Sequence, residues 1–352
     1  MLALVYSGKG ALAVATAAAP APGPGEVRVR VHSCGICMSD VYGIAGVNDR
    51  RDAVLGDGET LVMGHEVVGV VDELGAGTEG VAPALGTLVA VDPICGCGQC
   101  ARCDAGEENA CARRTIRGCV PVAPGGYAEA LVVPARKLHP LPPGTAPELG
   151  ALAEPLAVGA HGVALAEPLQ DDDAVLVIGG GIVGIGAALA ARRRLGDRAE
   201  VVVAEPRPER RALCARLGLA AAPPAVALAR EERFGLVLDC VARPETFAGA
   251  VRAARRGGQI VLVGIWQDEI PLPVSEVVAR ESRIRGSFGY THADFAGVVA
   301  WLGERRGRGE LLQLVERRVG FDGLIAALRG HADGSVTAVR TLFQPDLNLE
   351  RT

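Results

Sequence analysis

Between Ala174 and Glu205 the chain passes through a short apolar run (AVLVI), the pattern GxGxxG at Gly179, Gly181 and Gly184, a helix-forming stretch to about Leu195, a second apolar run at 200–204, and then an acid. That order admits few folds. The first glycine permits a tight turn, the second lets backbone approach a pyrophosphate, and the third lets helix and strand pack closely. Ile182 and Val183 fill the positions between, where free N–H groups at a helix N-terminus face phosphate charge. Glu205 falls where a carboxylate accepts hydrogen bonds from both adenosine ribose hydroxyls, about 20 residues past the turn. It also repels a 2′-phosphate, so NAD is expected over NADP. Against this, Arg207, Arg210 and Arg211 follow at once and could clamp a phosphate if Glu205 turned away. Residues 174–191 carry no charge and by length could cross a membrane. The glycines that interrupt them favour a strand, a turn and a helix.

Cysteine placement is the second constraint. Of 10 cysteines, five crowd between Cys95 and Cys111. Cys97, Cys100, Cys103 and Cys111 make C-x2-C-x2-C-x7-C, a spacing that lets four thiolates close a tetrahedron around one Zn²⁺. Four sulfurs leave no open position, so the ion would hold a loop together and do no chemistry. Cys95 is an extra candidate that could shift the register, but it stands only two residues from Cys97 and is left out of the set. Thiolates rather than disulfides imply a reducing compartment. The alanine-rich stretch 11–19 after Lys9 mimics an export signal only faintly, and a cytoplasmic location is expected.

The rest of the chain supplies the frame. With 352 residues, two domains are expected. Alternating segments such as EVRVRVH at 26–32 and the run 67–74, set between glycine and proline clusters, favour an antiparallel β domain in the first 150 residues. From Ala174 the rhythm becomes strand then helix, with further strands at 236–240 and 259–264, which reads as a doubly wound parallel sheet. A helix around 294–305 and a strand near 336–343 close the chain. The net charge of −5 gives no global field for nucleic acid or an anionic membrane, and neither is expected as a partner. Lys9 and Lys137 are the only lysines.

Cys37, in CGICMSD (34–40), and His65 with Glu66, in GHE, offer a sulfur, an imidazole and a carboxylate, a donor set that can hold Zn²⁺ with one position open. Together with the quartet, GGYAEALVVP (125–134), AEPLAVGAHGV (153–163), GGGIVG, EPRPERR and AVRT (338–341), these motifs resemble the zinc-dependent medium-chain alcohol dehydrogenases, in particular the polyol branch of sorbitol and 2,3-butanediol dehydrogenases. The resemblance spans nearly the whole chain. It implies an α/β protein with a GroES-like antiparallel β domain (1–154 and 293–352), a Rossmann NAD-binding domain (155–292) and an active site in the cleft between them. By position it makes Cys37 and His65 catalytic zinc ligands, with Glu154 or Glu66 as the third. Ser39 matches the hydroxyl that takes the substrate proton, Arg210 a basic residue near the ribose, and Arg340 one that contacts the pyrophosphate. Tyr42 departs from the histidine common three residues after that serine. A phenol, with its pKa of about 10, is the poorer base at neutral pH.

Under that resemblance the activity is hydride transfer between a secondary alcohol (diol, polyol or cyclitol-like) and NAD, giving the ketone. It requires one catalytic and one structural zinc. An NADP-dependent tailoring dehydrogenase of secondary metabolism is the alternative, and a non-catalytic dinucleotide-binding protein is a further one. Substrate walls are expected from 43–61, 265–268 and 287–291. Family relatives are homodimers or homotetramers, so a homo-oligomer is expected.

Overall fold

The structure is a computed structural model that describes residues 1–46, 52–166, 169, 173–196, 199–265, 269–304 and 308–347. The chain forms two compact units, one of Met1–Glu154 with Phe295–Thr352 and the other of Pro155–Asp294.

The first unit is built on the strand Glu26–Gly35. Val27, Val29 and Val31 are buried while Arg28 and Arg30 turn outward, so the alternation read from the sequence is a one-sided strand. Each such valine contributes about 1.5–3 kcal/mol on burial. Antiparallel partners lie on both sides, Glu66–Leu74 on one and Ala130–Pro134 on the other. Through Leu88–Val91, Leu138–Pro140, Arg340–Phe343 and Val315–Val319 they complete a 7-stranded sheet. At Ser33, Cys34 and Gly35 the alternation gives way to continuous burial, because the strand end is covered on both faces as it enters the segment that carries Cys37.

The last strand is shorter than the expected 336–343. It begins at Arg340, because Val336 N–H is taken by Gly330 O as the helix Phe321–Asp333 ends at Gly334 in the left-handed region. That arrangement closes the helix terminus and removes residue 336 from any ladder. The helix expected at 294–305 runs His292–Leu302.

The second unit carries a 6-stranded sheet in which every pairing is parallel. In space its strands run Ala220–Ala222, Val201–Ala204, Ala174–Ile178, Phe234–Asp239, Ala254–Leu262 and Arg283–Gly286. This is the doubly wound order of dinucleotide-binding sheets, with the first strand at the point where the order reverses. All five residues of Ala174–Ile178 are buried, as expected for a strand covered by helices on both faces. The uncharged run 174–191 is thus a strand, a turn and the start of the helix Ile182–Leu195. Among the described residues no helix is long and apolar enough to cross a membrane.

Candidate active site and metal centres

Cys37, His65 and Glu66 reach one point from three directions. Their ligand atoms lie within 4.8 Å of one another. Cys37 is the N-cap of the helix Met38–Ile44, where its sulfur accepts from Ser39 N at 3.5 Å and from Ser39 Oγ at 3.3 Å. Burial would raise this thiol, but the His65 imidazole outweighs it and brings it down to about 7, which favours the thiolate a metal needs. Glu66 opens its strand directly opposite Gly35, and a side chain at Gly35 would strike both the Glu66 carboxylate and the Arg340 guanidinium.

His65 is held from behind. Its Nδ1 lies 3.5 Å from Asp40 Oδ1 and 4.0 Å from Cys119 Sγ, while the other oxygen of Asp40 accepts from Tyr127 OH at 2.8 Å. Burial pulls the imidazole pKa down, yet Asp40 and the thiols of Cys37 and Cys119 outweigh it and raise it well above the ordinary value. Gly64, at φ +94°, makes the turn into His65 where a Cβ would stand 2.8 Å from the Tyr127 ring and 2.9 Å from Cys34 Sγ. Cys34 itself is fully buried, and burial pushes its thiol up, as befits a small apolar residue.

Ser39 is exposed beside Cys37, and Tyr42 follows one turn later at 41% exposure. Glu154, in the first turn of the helix Ala153–Ala164, is 9% exposed and stays outside the Cys37, His65 and Glu66 group. Arg340 is buried, donates to Ile36 O at 2.7 Å and pairs with Glu66. Burial brings its pKa down to about 10. Its Nε is buried without a hydrogen-bond partner among the described residues. Of the expected substrate walls, 47–51 and 266–268 lie outside the described residues.

The quartet Cys97, Cys100, Cys103 and Cys111 also brings its sulfurs within 4.8 Å of one another, and Cys95 is not among them. Cys100 Sγ lies 3.6 Å from Cys103 Sγ and 3.7 Å from Cys111 Sγ. Four sulfurs each about 2.3 Å from a central zinc stand about 3.8 Å apart at tetrahedral angles, so the spacing fits an ion and is too long for disulfides. All 10 cysteines are free. Donors surround the sulfurs: Cys97 N to Cys111 at 3.4 Å, Gly98 N to Cys103 at 3.4 Å and Arg113 Nη2 to Cys97 at 3.2 Å. Such N–H groups offset the surplus negative charge of four thiolates.

Sequence reading missed the anchor of this loop. Lys137, only 1% exposed, sets Nζ 2.8 Å from Asp92 Oδ2 and 3.0 Å from Glu108 Oε2, and Glu108 Oε2 also accepts from Gly96 N at 2.7 Å. A lysine within an otherwise lysine-poor chain was the available signal.

In the second unit, the glycine turn does what its pattern requires. Gly179 is at φ +102°, a Cβ at Gly184 would collide with Gly179 O, and a Cβ at Gly181 would meet nothing within 4 Å. The open space lies before the N-terminus of the helix Ile182–Leu195, a cradle that fits a pyrophosphate. Behind the turn the backbones of two helices touch. A Cβ on Gly159 would stand within 2.5 Å of Val183 O, and one on Gly186 would lie 3.1 Å from Leu156 Cα. Glu205 is 4% exposed, its oxygens accepting from Gly180 N at 2.7 Å and Arg207 N at 2.9 Å. Those two N–H groups aim the carboxylate at the turn. Arg211 donates to Glu205 O and Pro206 O, while Arg210 is half-buried on the same helix, Pro208–Arg216.

Comparison with known proteins agrees with both halves. Residues 23–143 match the alcohol dehydrogenase GroES-like domain and residues 183–304 the zinc-binding dehydrogenase domain. The 2-dehydro-3-deoxy-L-galactonate 5-dehydrogenase of Pseudoalteromonas atlantica is 32% identical over 269 residues, which is 74% of this chain and 75% of that one. A zinc-binding dehydrogenase from Sinorhizobium meliloti 1021, solved with NADP, superposes with a TM-score of 0.85 at 25% identity, covering 98% of this chain and 99% of the other. An alcohol dehydrogenase from E. coli CFT073, solved with NADH, does so with a TM-score of 0.85 at 27% identity and the same coverage.

Proposed function

This chain belongs to the zinc-dependent alcohol dehydrogenase family, and on that basis we propose that it moves a hydride between a secondary alcohol and NAD, giving the ketone. The observation that carries the reading is the convergence of Cys37, His65 and Glu66. A thiolate, an imidazole and a carboxylate are the donors of a zinc site that keeps a position open. Glu154, which lies outside that group, would be the alternative to Glu66 as third ligand. When bound, zinc supplies Lewis acidity that makes an alcohol O–H easier to ionise, and the nicotinamide supplies the hydride acceptor.

The protein's own groups do the rest. Ser39 Oγ, exposed and adjacent to Cys37, takes the proton of the alcohol and passes it outward, with Tyr42 one helical turn further toward solvent. Gly181 and the N–H groups of Ile182 and Val183 would receive the pyrophosphate. Glu205, fixed from behind by Gly180 and Arg207, reads the ribose hydroxyls and disfavours a 2′-phosphate. Arg210 lines the ribose. The quartet would hold a second, structural zinc.

The substrate is a secondary alcohol with a neighbouring polar group, such as a diol, polyol, cyclitol or sugar acid. The galactonate-type relative is named for reaction at carbon 5 of such an acid. The test is a screen of NAD⁺ reduction across these four classes, repeated with NADP⁺. Oxidation with NAD⁺ that vanishes in Cys37→Ser is expected. Undiminished turnover in that variant would refute the zinc chemistry, and a preference for NADP⁺ would refute the role given to Glu205.

A further inference from the structure

We infer that Tyr127 is a positioning residue for the metal centre, acting through Asp40 on His65, and this rests on the reading that Cys37 and His65 hold zinc. The residues form one fully buried line. Tyr127 OH donates to Asp40 Oδ2 at 2.8 Å, and Asp40 Oδ1 faces His65 Nδ1 at 3.5 Å. Tyr127 and Asp40 have 0% exposure and His65 only 6%, so bulk water has little access to these partners. With Nδ1 turned to Asp40, the other ring nitrogen is the one left for the cation, and the carboxylate fixes both the ring's orientation and its tautomer.

The phenol helps to orient Asp40. A fully buried carboxylate that loses a donor is held less firmly and carries a less compensated acceptor. The Tyr127 hydroxyl also lies 3.1 Å from Gly35 O, but the carboxylate is nearer and is the stronger acceptor. Burial and the neighbouring acid hold the phenol pKa well above its usual value, so the group stays a donor.

The backbone places this hydroxyl by the same strands that place the imidazole. Gly125 N, Gly126 N and Tyr127 N donate to Val62 O, Gly64 O and Met63 O at 2.7, 2.8 and 2.9 Å. The segment 125–127 therefore runs alongside the turn that delivers His65, and the Tyr127 ring packs on Gly64 itself. The tyrosine thus controls His65 twice, through the shape of the turn and through the acid behind the ring. Only the second route needs the oxygen.

Tyr127→Phe separates the two. It keeps the ring, and with it the packing on Gly64 and the edge-on contact with Phe343 at 6.0 Å, and removes only the donor. In the full chain carrying both zincs, release of each ion to a chelator is followed, with the quartet's zinc as internal reference. Expected is about 10-fold weaker retention of the Cys37 zinc, an unchanged quartet, and an altered visible spectrum when Co²⁺ replaces the Cys37 zinc. Asp40→Asn interrupts the same line one step closer. In that background Tyr127→Phe should add less than about 2-fold, because the two changes cut one coupling. Retention and spectrum equal to wild type, or effects of the two variants that multiply, would overturn the inference even if the phenylalanine variant lost thermal stability. If the wild-type chain holds zinc only at the quartet, the proposed function falls first and this inference with it.

Discussion

The two candidate metal groups of the first unit are built in opposite ways. The quartet takes four identical donors from one short loop, its sulfurs surrounded by N–H groups and its base tied to Lys137. The Cys37, His65 and Glu66 group takes three different donors from a helix N-cap and a strand entry, and brings them together because Glu26–Gly35 and Glu66–Leu74 pair antiparallel, through two register shifts, with Gly35 opposite Glu66. A loop can be closed around an ion by spacing alone. An open site has to be oriented, and its orientation comes from buried groups that never touch the metal.

That contrast breaks most directly at Cys37. Cys37→Ser should lower turnover by about 1000-fold or more while NAD binding and the quartet's zinc persist, as read by coenzyme titration and metal analysis. Loss of both zincs together would mean the two groups are not independent. The converse change is Lys137→Met. It takes the ammonium away from buried Asp92 and half-buried Glu108, so a loss of about 3 kcal/mol is expected in denaturant unfolding, with faster release of the quartet's zinc and normal retention at Cys37.

Ser39→Ala sharpens the comparison inside the open site. Turnover should fall by about 100-fold with both zincs retained, and added small amines or formate would be expected to restore part of it. Zinc loss in this variant would make Ser39 a support for the Cys37 sulfur instead of a proton acceptor.

The smallest effect is an acid one. Burial pushes the Glu108 carboxyl up, but Gly96 N–H and Lys137 outweigh it and hold it below its ordinary value. Its contribution is therefore complete above the unfolded value of about 4.3 and is lost as pH falls through the lower folded value. Stability measured from pH 6 to 3 should drop less steeply in Glu108→Gln than in wild type. Solvent reaches part of the side chain, so screening keeps the difference below about 1 kcal/mol.

Legibility in the sequence followed the same division. The quartet and the glycine turn are local patterns, and their spacing alone located Cys97 to Cys111 and Gly179 to Glu205. Cys37, His65 and Glu66 could be named from their motifs, but their convergence depends on strand register, which no single segment records. Asp40 stood inside CGICMSD without a role, and Tyr127 inside GGYAEA. Each looks like an ordinary polar residue until the sheet brings it behind His65. The strand expected at 336–343 failed at its start for a local reason, since the close of the preceding helix claims Val336 N–H.

The glycine-lined seam between Ala153–Ala164 and Ile182–Leu195 has one more consequence. At Gly159 and Gly186 the two rods meet main chain to main chain, leaving no slack for even one methyl. The proposed seat of the coenzyme can therefore be displaced from its rear by a residue outside the glycine turn. A survey of substitutions confined to ligand-facing positions would overlook the place where that seat is least forgiving.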